Sequence, residues 1–293
     1  MRALILGVTG QDGSYLAEQL LAAGHEVFGM VRRFNLEPSP VRLVAGDLLD
    51  QDSIERALTR VRPDEVYNLA AVTSPGGTWG TPQPPLLADT TGLGVIRLMD
   101  AMLKCAPEAR LVHASSSAIY DPHRYGLYGV AKLFAHQAVI GYRGVLQCSN
   151  AVLFSHTSPR QDPRFLARRI TSTVARIAAG SPEHLVLGDV ESRRDWGYAP
   201  DYVQALPLIA RHGPGDYVIA TGRTHSVREL TQAALQAAGL DWDRVVQIDP
   251  AAPRIPDEIH PDSQDGRLAT SHALGWKPQT SFTDMIDQMV RAA

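Results

Sequence analysis

The sequence predicts an α/β fold built on a doubly wound parallel sheet. Apolar runs such as "RALILGV", "DEVYNLAA" and "ARLVHASSS" have the length and composition of buried strands. They alternate with amphipathic segments such as "SYLAEQLLAAGH", "LGVIRLMDAMLK" and "YGVAKLFAHQAVIGYR", which have helical periodicity. This alternation is typical of a parallel sheet covered by helices on both faces, whose ligands bind at the carboxyl ends of the strands.

The composition narrows the class of protein. The chain has 293 residues and a formal net charge of −3, without a long run of lysine or arginine, which argues against an electrostatic nucleic-acid binder. No apolar run reaches the roughly 18 residues that a membrane helix requires, and we expect a cytoplasmic protein without a membrane anchor. The two cysteines, Cys105 and Cys148, lack the spacing of a zinc site, so no metal is expected and both are assigned structural roles.

The first strand is followed by a glycine-rich loop, "GVTGQDG", and then by a helix. Gly7, Gly10 and Gly13 have the spacing GxxGxxG. Glycines let a pyrophosphate approach the backbone closely and rest on the first turn of the helix, where free N–H groups favour an anion. The strand, loop and helix together predict a dinucleotide site.

The second strand, "EVFGMV", ends in Arg32 and Arg33. Proteins that prefer NAD usually carry an acidic residue here, whereas a guanidinium matches a 2′-phosphate. We therefore expect NADP, with NAD possible if these arginines are simply solvated. Asp47, after the third apolar run, is placed to accept a hydrogen bond from an adenine amino group.

Tyr128 and Lys132 lie four residues apart on a predicted helix and share one face. A nearby ammonium lowers the pKa of a phenol, which suits the tyrosine to accept a proton as a hydride leaves a carbinol. Ser116, just after a strand, can bind the same hydroxyl. These three residues form the predicted redox site.

The chain resembles the extended short-chain dehydrogenase/reductases, and among them the GDP-mannose 4,6-dehydratases. Matching phrases run almost from end to end: "TGQDGSYLAEQLL", "RPDEVYNLAA", "YGVAKLFA", "FSHTSPR", "RRDWGYAPDYVQA", "YVIATGRTHSVREL" and "LGWKP". The resemblance implies bound NADP, a nucleotide-sugar substrate and chemistry that begins by oxidising the sugar at C4. It also implies a Rossmann-type domain, 1–155 with a contribution from about 187–222, and a small C-terminal substrate-binding lobe, 156–186 and 223–293.

The resemblance also assigns site residues. The cofactor would be bound by Gly7, Thr9, Gly10, Gln11, Asp12, Gly13, Arg32, Asp47, Leu48, Leu69, Ala70, Ala71, Tyr128 and Lys132. Ser116, Tyr128 and Lys132 match the catalytic serine or threonine, tyrosine and lysine. The substrate would contact Ser117, Asn150, Arg160, Arg194 and Arg254.

One family residue is missing. The dehydratases carry a glutamate two residues after the catalytic serine or threonine, and it removes the C5 proton that the new C4 ketone makes acidic. This chain has Ala118, which cannot transfer a proton. The loop between Tyr120 and Tyr128 is short, and its His123, with Asp121 next, is the candidate replacement because an imidazole titrates near neutrality.

Several functions remain open at this point. The leading hypothesis is a dehydratase that acts on a nucleotide sugar or a nucleoside by transient oxidation and elimination of water. The phrase "SSSAIY" resembles the UDP-galactose 4-epimerases, which need no C5 base, so an epimerase is the alternative, with a net reductase behind it. A cofactor-binding regulator without chemistry is disfavoured because both Tyr128 and Lys132 are present. The family's larger assemblies use the loop that follows the arginines, and because this loop is short here, the resemblance implies a homodimer rather than a tetramer.

Overall fold

The structure is a computed structural model that describes residues 1–33, 40–73, 83–251, 257–258 and 262–293, with the side chains of 262–264 excepted. In these ranges the strands are β1 (Arg2–Leu6), β2 (Glu26–Val31), β3 (Arg42–Ala45), β4 (Glu65–Asn68), β5 (Arg110–Ser116), β6 (Cys148–Leu153), β7 (His156–Thr157), β8 (Leu185–Leu187), β9 (Arg193–Arg194), β10 (Gly197–Tyr198), β11 (Asp216–Ile219), β12 (His225–Ser226) and β13 (Val246–Ile248).

The helices are α1 (Gln11–Ala22), α2 (Gln51–Val61), α3 (Pro84–Ala88), α4 (Gly94–Cys105), α5 (Gly126–Tyr142), α6 (Leu166–Ala178), α7 (Ala199–His212), α8 (Val227–Ala238), α9 (Trp242–Val245), α10 (Asp262–Leu274) and α11 (Phe282–Arg291). A π-helical turn, Asp89–Leu93, leads into α4, and a 3₁₀ turn, Ser117–Ile119, follows β5. Within the described ranges, no helix combines the length and the apolar character needed to span a bilayer.

Seven strands form one parallel sheet in the order β11-β6-β5-β4-β1-β2-β3. Strands β2 and β3 lie on one side of β1, and β4, the next strand in the chain, lies on its other side. The carboxyl ends of β1 and β4 therefore flank the topological switch point, where sheets of this kind bind their ligands. The predicted α/β fold with a doubly wound parallel sheet is confirmed.

Helices cover both faces of the sheet. On one face α1 and α7 pack through Leu16, Leu20 and Ile209 against β1, β2 and the strands beyond β4. On the other face α2, α4 and α5 pack through apolar residues such as Leu58 and Met99. Strands β1, β4, β5 and β6 are buried on both faces, so none of them alternates apolar and polar residues; β1 is apolar from Ala3 to Leu6, whereas β4, β5 and β6 also bury polar residues such as Glu65, His113 and Asn150.

A second, smaller core lies toward the C-terminus. It contains buried residues of α6, α8 and α11 together with β8, and its members include Ile170, Leu187, Leu230 and Ile286. These helices bury their apolar faces against one another rather than against the sheet. This cluster is the core of a small lobe.

The packing differs from the predicted domain division at two places. Trp276 belongs to the core of the sheet, where its indole N–H donates to the backbone oxygen of Asp201 at 3.0 Å. Nearby, Thr270 of α10 accepts from the backbone N–H of Val218 at 2.8 Å, which satisfies a donor on the edge strand β11. In the other direction, Val190 and Trp196 lie in the core of the lobe although 187–222 is predicted to join the sheet domain.

Candidate active site

The glycine-rich loop lies at the switch point. Gly7 follows β1 with a φ of +83°, and a Cβ atom on it would lie 2.9 Å from the backbone nitrogen of Ala70, which follows β4. A Cβ atom on Gly13 would overlap the carbonyl oxygen of Gly7. The two strand ends and the first turn of α1 therefore approach so closely that only glycine fits at these positions.

The first turn of α1 offers N–H groups to an anion. Gly10 is the N-cap residue, so no side chain caps this end of the helix, and Thr9 beside it is exposed. Uncapped N–H groups and the helix dipole favour a negative group at this position. The shape and the donors of this loop fit the pyrophosphate of a dinucleotide.

Asp12 and Gln11 are directed into the protein. The Asp12 carboxylate accepts from Nε2 of His156 at 2.9 Å, and Nδ1 of the same ring donates to the carbonyl oxygen of Phe154 at 2.7 Å. Both partners are acceptors, so both ring nitrogens carry a proton and His156 is an imidazolium. Ser158 donates to Oε1 of Gln11 at 2.8 Å. These contacts fasten the cofactor loop to the segment that follows β6.

The pKa values of the ion pair reflect this arrangement. Burial by itself raises the pKa of Asp12, but the charge and hydrogen bond of His156 outweigh it and the pKa is lowered. Burial by itself lowers the pKa of His156, but Asp12 outweighs it and the pKa is raised. Each group therefore stabilises the charged form of the other.

The remaining predicted cofactor residues line the carboxyl ends of the strands. Arg32 is exposed directly after β2. Asp47 is half-buried, and one of its carboxylate oxygens accepts from the backbone N–H of Leu49 at 3.0 Å. Leu48 is buried and its carbonyl oxygen accepts from Arg97 at 3.2 Å. Three half-buried residues follow β4: Leu69, Ala70 and Ala71.

The three predicted redox residues come together where β5 ends and α5 begins. Ser116 is the last residue of β5, and its hydroxyl is near enough to Tyr128 to lower the pKa of the phenol. The Lys132 ammonium lies 5.9 Å from the centre of the Tyr128 ring and donates to the carbonyl oxygen of Ala114 at 2.7 Å. The strand end and one helical face thus bring all three groups to one place, as their spacing predicts.

The electrostatics of these groups correct one prediction. Burial raises the pKa of Tyr128 to about 12, and only the hydrogen bond with Ser116 opposes it. Burial also lowers the pKa of Lys132 to about 8, against the effect of Asp12. The prediction that Lys132 lowers the pKa of this phenol is wrong for the chain by itself, because the ammonium is bound to Ala114 and burial dominates.

A buried carboxylate lies beside this redox site. Glu258 accepts a hydrogen bond from Ser117 and two from the backbone N–H of Ser155, at 3.2 Å to Oε1 and 3.3 Å to Oε2. Burial raises the pKa of Glu258, and Arg194 is the largest opposing influence. Its charge also raises the pKa of Tyr125 and of Tyr128, after burial in each case. Since Ser117 directly follows Ser116, Glu258 lies at the same strand end as the redox residues.

The sequence does not identify Glu258 or Ser155 as site residues. Glu258 is in "IPDEIH", from whose neighbourhood the sequence predicts only Arg254, and Arg254 lies outside the described residues. The signal available was a glutamate in a segment that the family resemblance already places near the substrate.

The predicted substrate residues have different locations. Ser117 and Arg194 both lie at the Glu258 cluster. Asn150 is in the middle of β6, fully buried, and its amide donates to the backbone oxygen of His136 and to Asp216. Arg160 packs over the ring of Tyr15 and binds Ser14 and Glu18, on the outer side of α1. The structure does not bring Asn150 and Arg160 to the cluster.

His123, the predicted replacement base, is exposed on the turn before α5. Its backbone oxygen accepts from Gly126 at 3.2 Å. None of the interactions that define the cluster in the described residues involves its imidazole.

Comparison with known proteins identifies the family. The family model described as GDP-mannose 4,6 dehydratase matches residues 4–289. The chain belongs to the GDP-mannose 4,6-dehydratase family. It is 35% identical to GDP-mannose 4,6 dehydratase 1 of Arabidopsis thaliana, over 98% of this chain and 88% of that protein. It is 33% identical to the GDP-mannose 4,6 dehydratase of Homo sapiens, over 99% and 90%. The resemblance predicted from the motifs is confirmed.

Solved structures agree on the fold. The chain is similar to the Thermus thermophilus UDP-glucose 4-epimerase complex with NAD, with a TM-score of 0.81, 26% identity and coverage of 100% of this chain and 98% of that one. It also resembles the dTDP-glucose 4,6-dehydratase of Bacillus anthracis in complex with NAD, with a TM-score of 0.82, 16% identity and coverage of 100% and 96%. This fold is thus common to dehydratases and epimerases.

Proposed function

We propose that this protein is a nicotinamide-dependent nucleotide-sugar 4,6-dehydratase and that GDP-mannose is its substrate. The observation that carries the proposal is the placement of Ser116, Tyr128 and Lys132 beside a glycine cradle, in a chain whose family consists of GDP-mannose 4,6-dehydratases. Relatives that carry this name match almost the whole length of the chain.

Ser116, Tyr128 and Lys132 have different roles in the oxidation of the sugar. The Ser116 hydroxyl holds the C4 hydroxyl of the sugar, and Tyr128 accepts its proton. The Lys132 side chain, anchored at Ala114, orients the cofactor beside Tyr128. A bound oxidised nicotinamide supplies the hydride acceptor and a positive ring that favours the phenolate. Tyr128 is half-buried, which limits the access of water to the proton transfer.

We propose NADP as the cofactor. Arg32 is exposed at the end of β2, where a guanidinium can bind a 2′-phosphate in bidentate fashion. Replacing Arg32 with serine is expected to weaken NADP binding by about tenfold or more and to leave NAD binding within about twofold, because a charge-assisted bond is worth about 1.5–3 kcal/mol. Equal losses for both cofactors, measured by fluorescence titration, would count against NADP.

An epimerase is the second candidate function. Ala118 favours it, because epimerisation at C4 needs no C5 base, and the Thermus thermophilus relative in fold is a UDP-glucose 4-epimerase. The products of the two reactions differ in mass. Incubation with GDP-mannose and NADP in deuterated water should yield a product that has lost one water and gained deuterium if the protein is a dehydratase. A stereoisomer of unchanged formula without deuterium would establish the epimerase.

A matched variant tests the residue roles. Replacing Tyr128 with phenylalanine removes the proton acceptor and keeps the ring, so turnover should fall by at least about 100-fold while NADP affinity is unchanged. Turnover near that of the unchanged protein would refute the assignment of Tyr128.

We also propose a homodimer in the cytoplasm. Leu93, Val130 and Phe134, at the start of α4 and on α5, are each 44–48% exposed, an apolar group that a second copy would cover. Cys105 and Cys148 are both free thiols, as is usual in a reducing compartment. Sedimentation should show a dimer that becomes a monomer when Phe134 is replaced with glutamate; a tetramer would contradict the proposal.

A further inference from the structure

Glu258 occupies the place in the site where a proton-transfer group is needed. Ala118 leaves the 3₁₀ turn after β5 without a carboxylate, yet Ser117, its immediate neighbour, donates to the carboxylate of Glu258. We propose that Glu258 is the acid–base residue that removes the C5 proton in the elimination step. The inference rests on the proposed dehydratase function and assigns the missing residue of that site.

The contacts hold the carboxylate in one position. Ser117 and the backbone N–H of Ser155 bind it, and the backbone N–H of Glu258 donates to the carbonyl oxygen of Arg193 at 2.8 Å. Arg193 in turn donates its backbone N–H to the side chain of Asp257 at 2.7 Å. The segment is thus fixed to the ends of β5 and β6 and to β9. Since only 7% of Glu258 is exposed, the group does not move freely in solvent.

The position suits the chemistry. The charge of Glu258 acts on Tyr128, the group that takes the C4 hydroxyl proton. C5 is bonded to C4, so a base that serves C5 has to lie next to the base that serves C4. Three neighbours of Glu258 can contact a substrate bound there: Ser117, Tyr125 and Arg194. A carboxylate whose pKa is raised by burial is also a stronger base than one in water.

The elimination moves the C5 proton to Glu258 and expels the C6 hydroxyl as water. After C4 is oxidised, the C5–H bond breaks and its proton goes to a carboxylate oxygen of Glu258. The electron pair of that bond forms a C5=C6 double bond conjugated with the C4 ketone. The C6–O bond breaks, and the hydroxyl takes the proton from Glu258 and leaves as water. C5 then takes a solvent proton, and a bound nicotinamide would return to C6 the hydride that it would have accepted from C4, so the overall reaction would consume no oxidant.

Other carboxylates and imidazoles near this end of α5 are less suited. Asp121 is about half exposed and forms an ion pair with Arg124 at 3.5 Å. His123 is exposed on the same turn. Asp12 is committed to His156. Among the described residues, Glu258 is the carboxylate that is both buried and in contact with the segment after Ser116.

The test separates oxidation from proton transfer. Glu258→Gln keeps the shape and the oxygen that accepts from Ser117 but cannot take a proton. With GDP-mannose and NADP at stoichiometric enzyme, it should still form reduced nicotinamide, seen by absorbance. Loss of water and uptake of deuterium at C5 should fall by at least about 100-fold. The control is Glu191→Gln, an exposed carboxylate paired with Arg228, for which both readouts should be unchanged.

The outcomes are distinguishable. Water loss by Glu258→Gln within about threefold of the unchanged protein overturns the proposal, and a simultaneous loss in His123→Ala would assign the base to His123. A raised KM with unchanged kcat overturns it in favour of substrate binding. If the unchanged protein shows neither water loss nor deuterium at C5, the proposed function fails and this role fails with it.

A second variant covers the case in which glutamine in this buried place prevents folding, which circular dichroism and NADP binding would show. Glu258→Asp keeps the carboxylate but withdraws it by one methylene. Formation of reduced nicotinamide should stay at its normal rate while dehydration slows by about 100-fold, since a displacement of about 1 Å has that effect. An equal decline in both steps would overturn the proposal.

Discussion

Replacing Asp12 with asparagine removes the negative partner of a buried imidazolium. His156 donates from both ring nitrogens, to Asp12 and to the backbone of Phe154. The Asp12 and His156 side chains are only 20% and 15% exposed, so solvent screens the pair weakly. The variant should lower the pKa of His156 and destabilise the protein without removing any apolar contact.

The expected loss of stability follows from the burial of the Asp12–His156 pair. Removing one member of a buried ion pair costs about 3–5 kcal/mol. Asparagine still offers an oxygen to Nε2, which keeps a neutral hydrogen bond, so we expect the lower end, about 3 kcal/mol. For a chain of this size about 1 kcal/mol shifts Tm by about 2 °C, which gives a decrease of about 6 °C.

The effect should depend on pH in a defined direction. The pKa of His156 is raised, so its contribution to stability is complete below its unfolded value near 6.5 and is lost as the pH rises through the folded value. The pKa of Asp12 is lowered, so its contribution is present above about 3.9 and is lost as the pH falls through the folded value. The Tm difference should therefore be largest between about pH 4 and 6.5.

Thermal unfolding followed by circular dichroism, at about pH 6 and about pH 9, measures this difference. A control is Asp162→Asn, which removes a carboxylate from the exposed pair with Arg164; no shift beyond error is expected because solvent screens that pair. A decrease below about 2 °C at pH 6, or one that persists unchanged at pH 9, would refute an imidazolium held by Asp12.

Two further variants test the cofactor site. Gly13→Ala places a methyl group against the carbonyl oxygen of Gly7, so NADP affinity measured by titration should fall by about tenfold or more, whereas Gly144→Ala, which has open space around it, should bind normally. Lys132→Met removes an ammonium whose pKa burial lowers to about 8 from 10.5, so the apoprotein should gain about 3 kcal/mol at pH 7 while activity is lost. That gain should be complete below pH 8 and disappear above about 10.5, and an unchanged or lower Tm would contradict it.

The sequence predicts those parts of the site that depend on local spacing. Gly7, Gly10 and Gly13 are close together in the chain, and a strand and a helix on either side fix where they lie. Tyr128 and Lys132 share a helical face because they are four residues apart. Such features need no knowledge of how distant segments pack.

Asn150, which the resemblance assigns to the substrate, shows what a matching phrase leaves open. Asn150 precedes the end of β6 by three residues, so it lies within the sheet, and only residues beyond Leu153 reach the site. Ser155 is one of these, and its backbone rather than its side chain binds Glu258. The sequence shows the apolar run of the strand but not the residue at which hydrogen bonding to its neighbours stops.

Polar contacts between residues far apart in the chain could not be predicted from the sequence either. Asp12 and His156 are 144 residues apart, and Ser117 and Glu258 are 141 residues apart. No periodicity connects such pairs, because each depends on how the segments after β6 and β13 return to the carboxyl edge of the sheet. The two halves of the proposed chemistry differ in this respect. The redox half lies between Ser116 and Lys132, where a motif records it, whereas the carboxylate for proton transfer comes from the far end of the chain. An alanine at position 118 therefore shows only that the local carboxylate is gone, and the acid–base function has to be sought in the residues that the fold brings to Ser117.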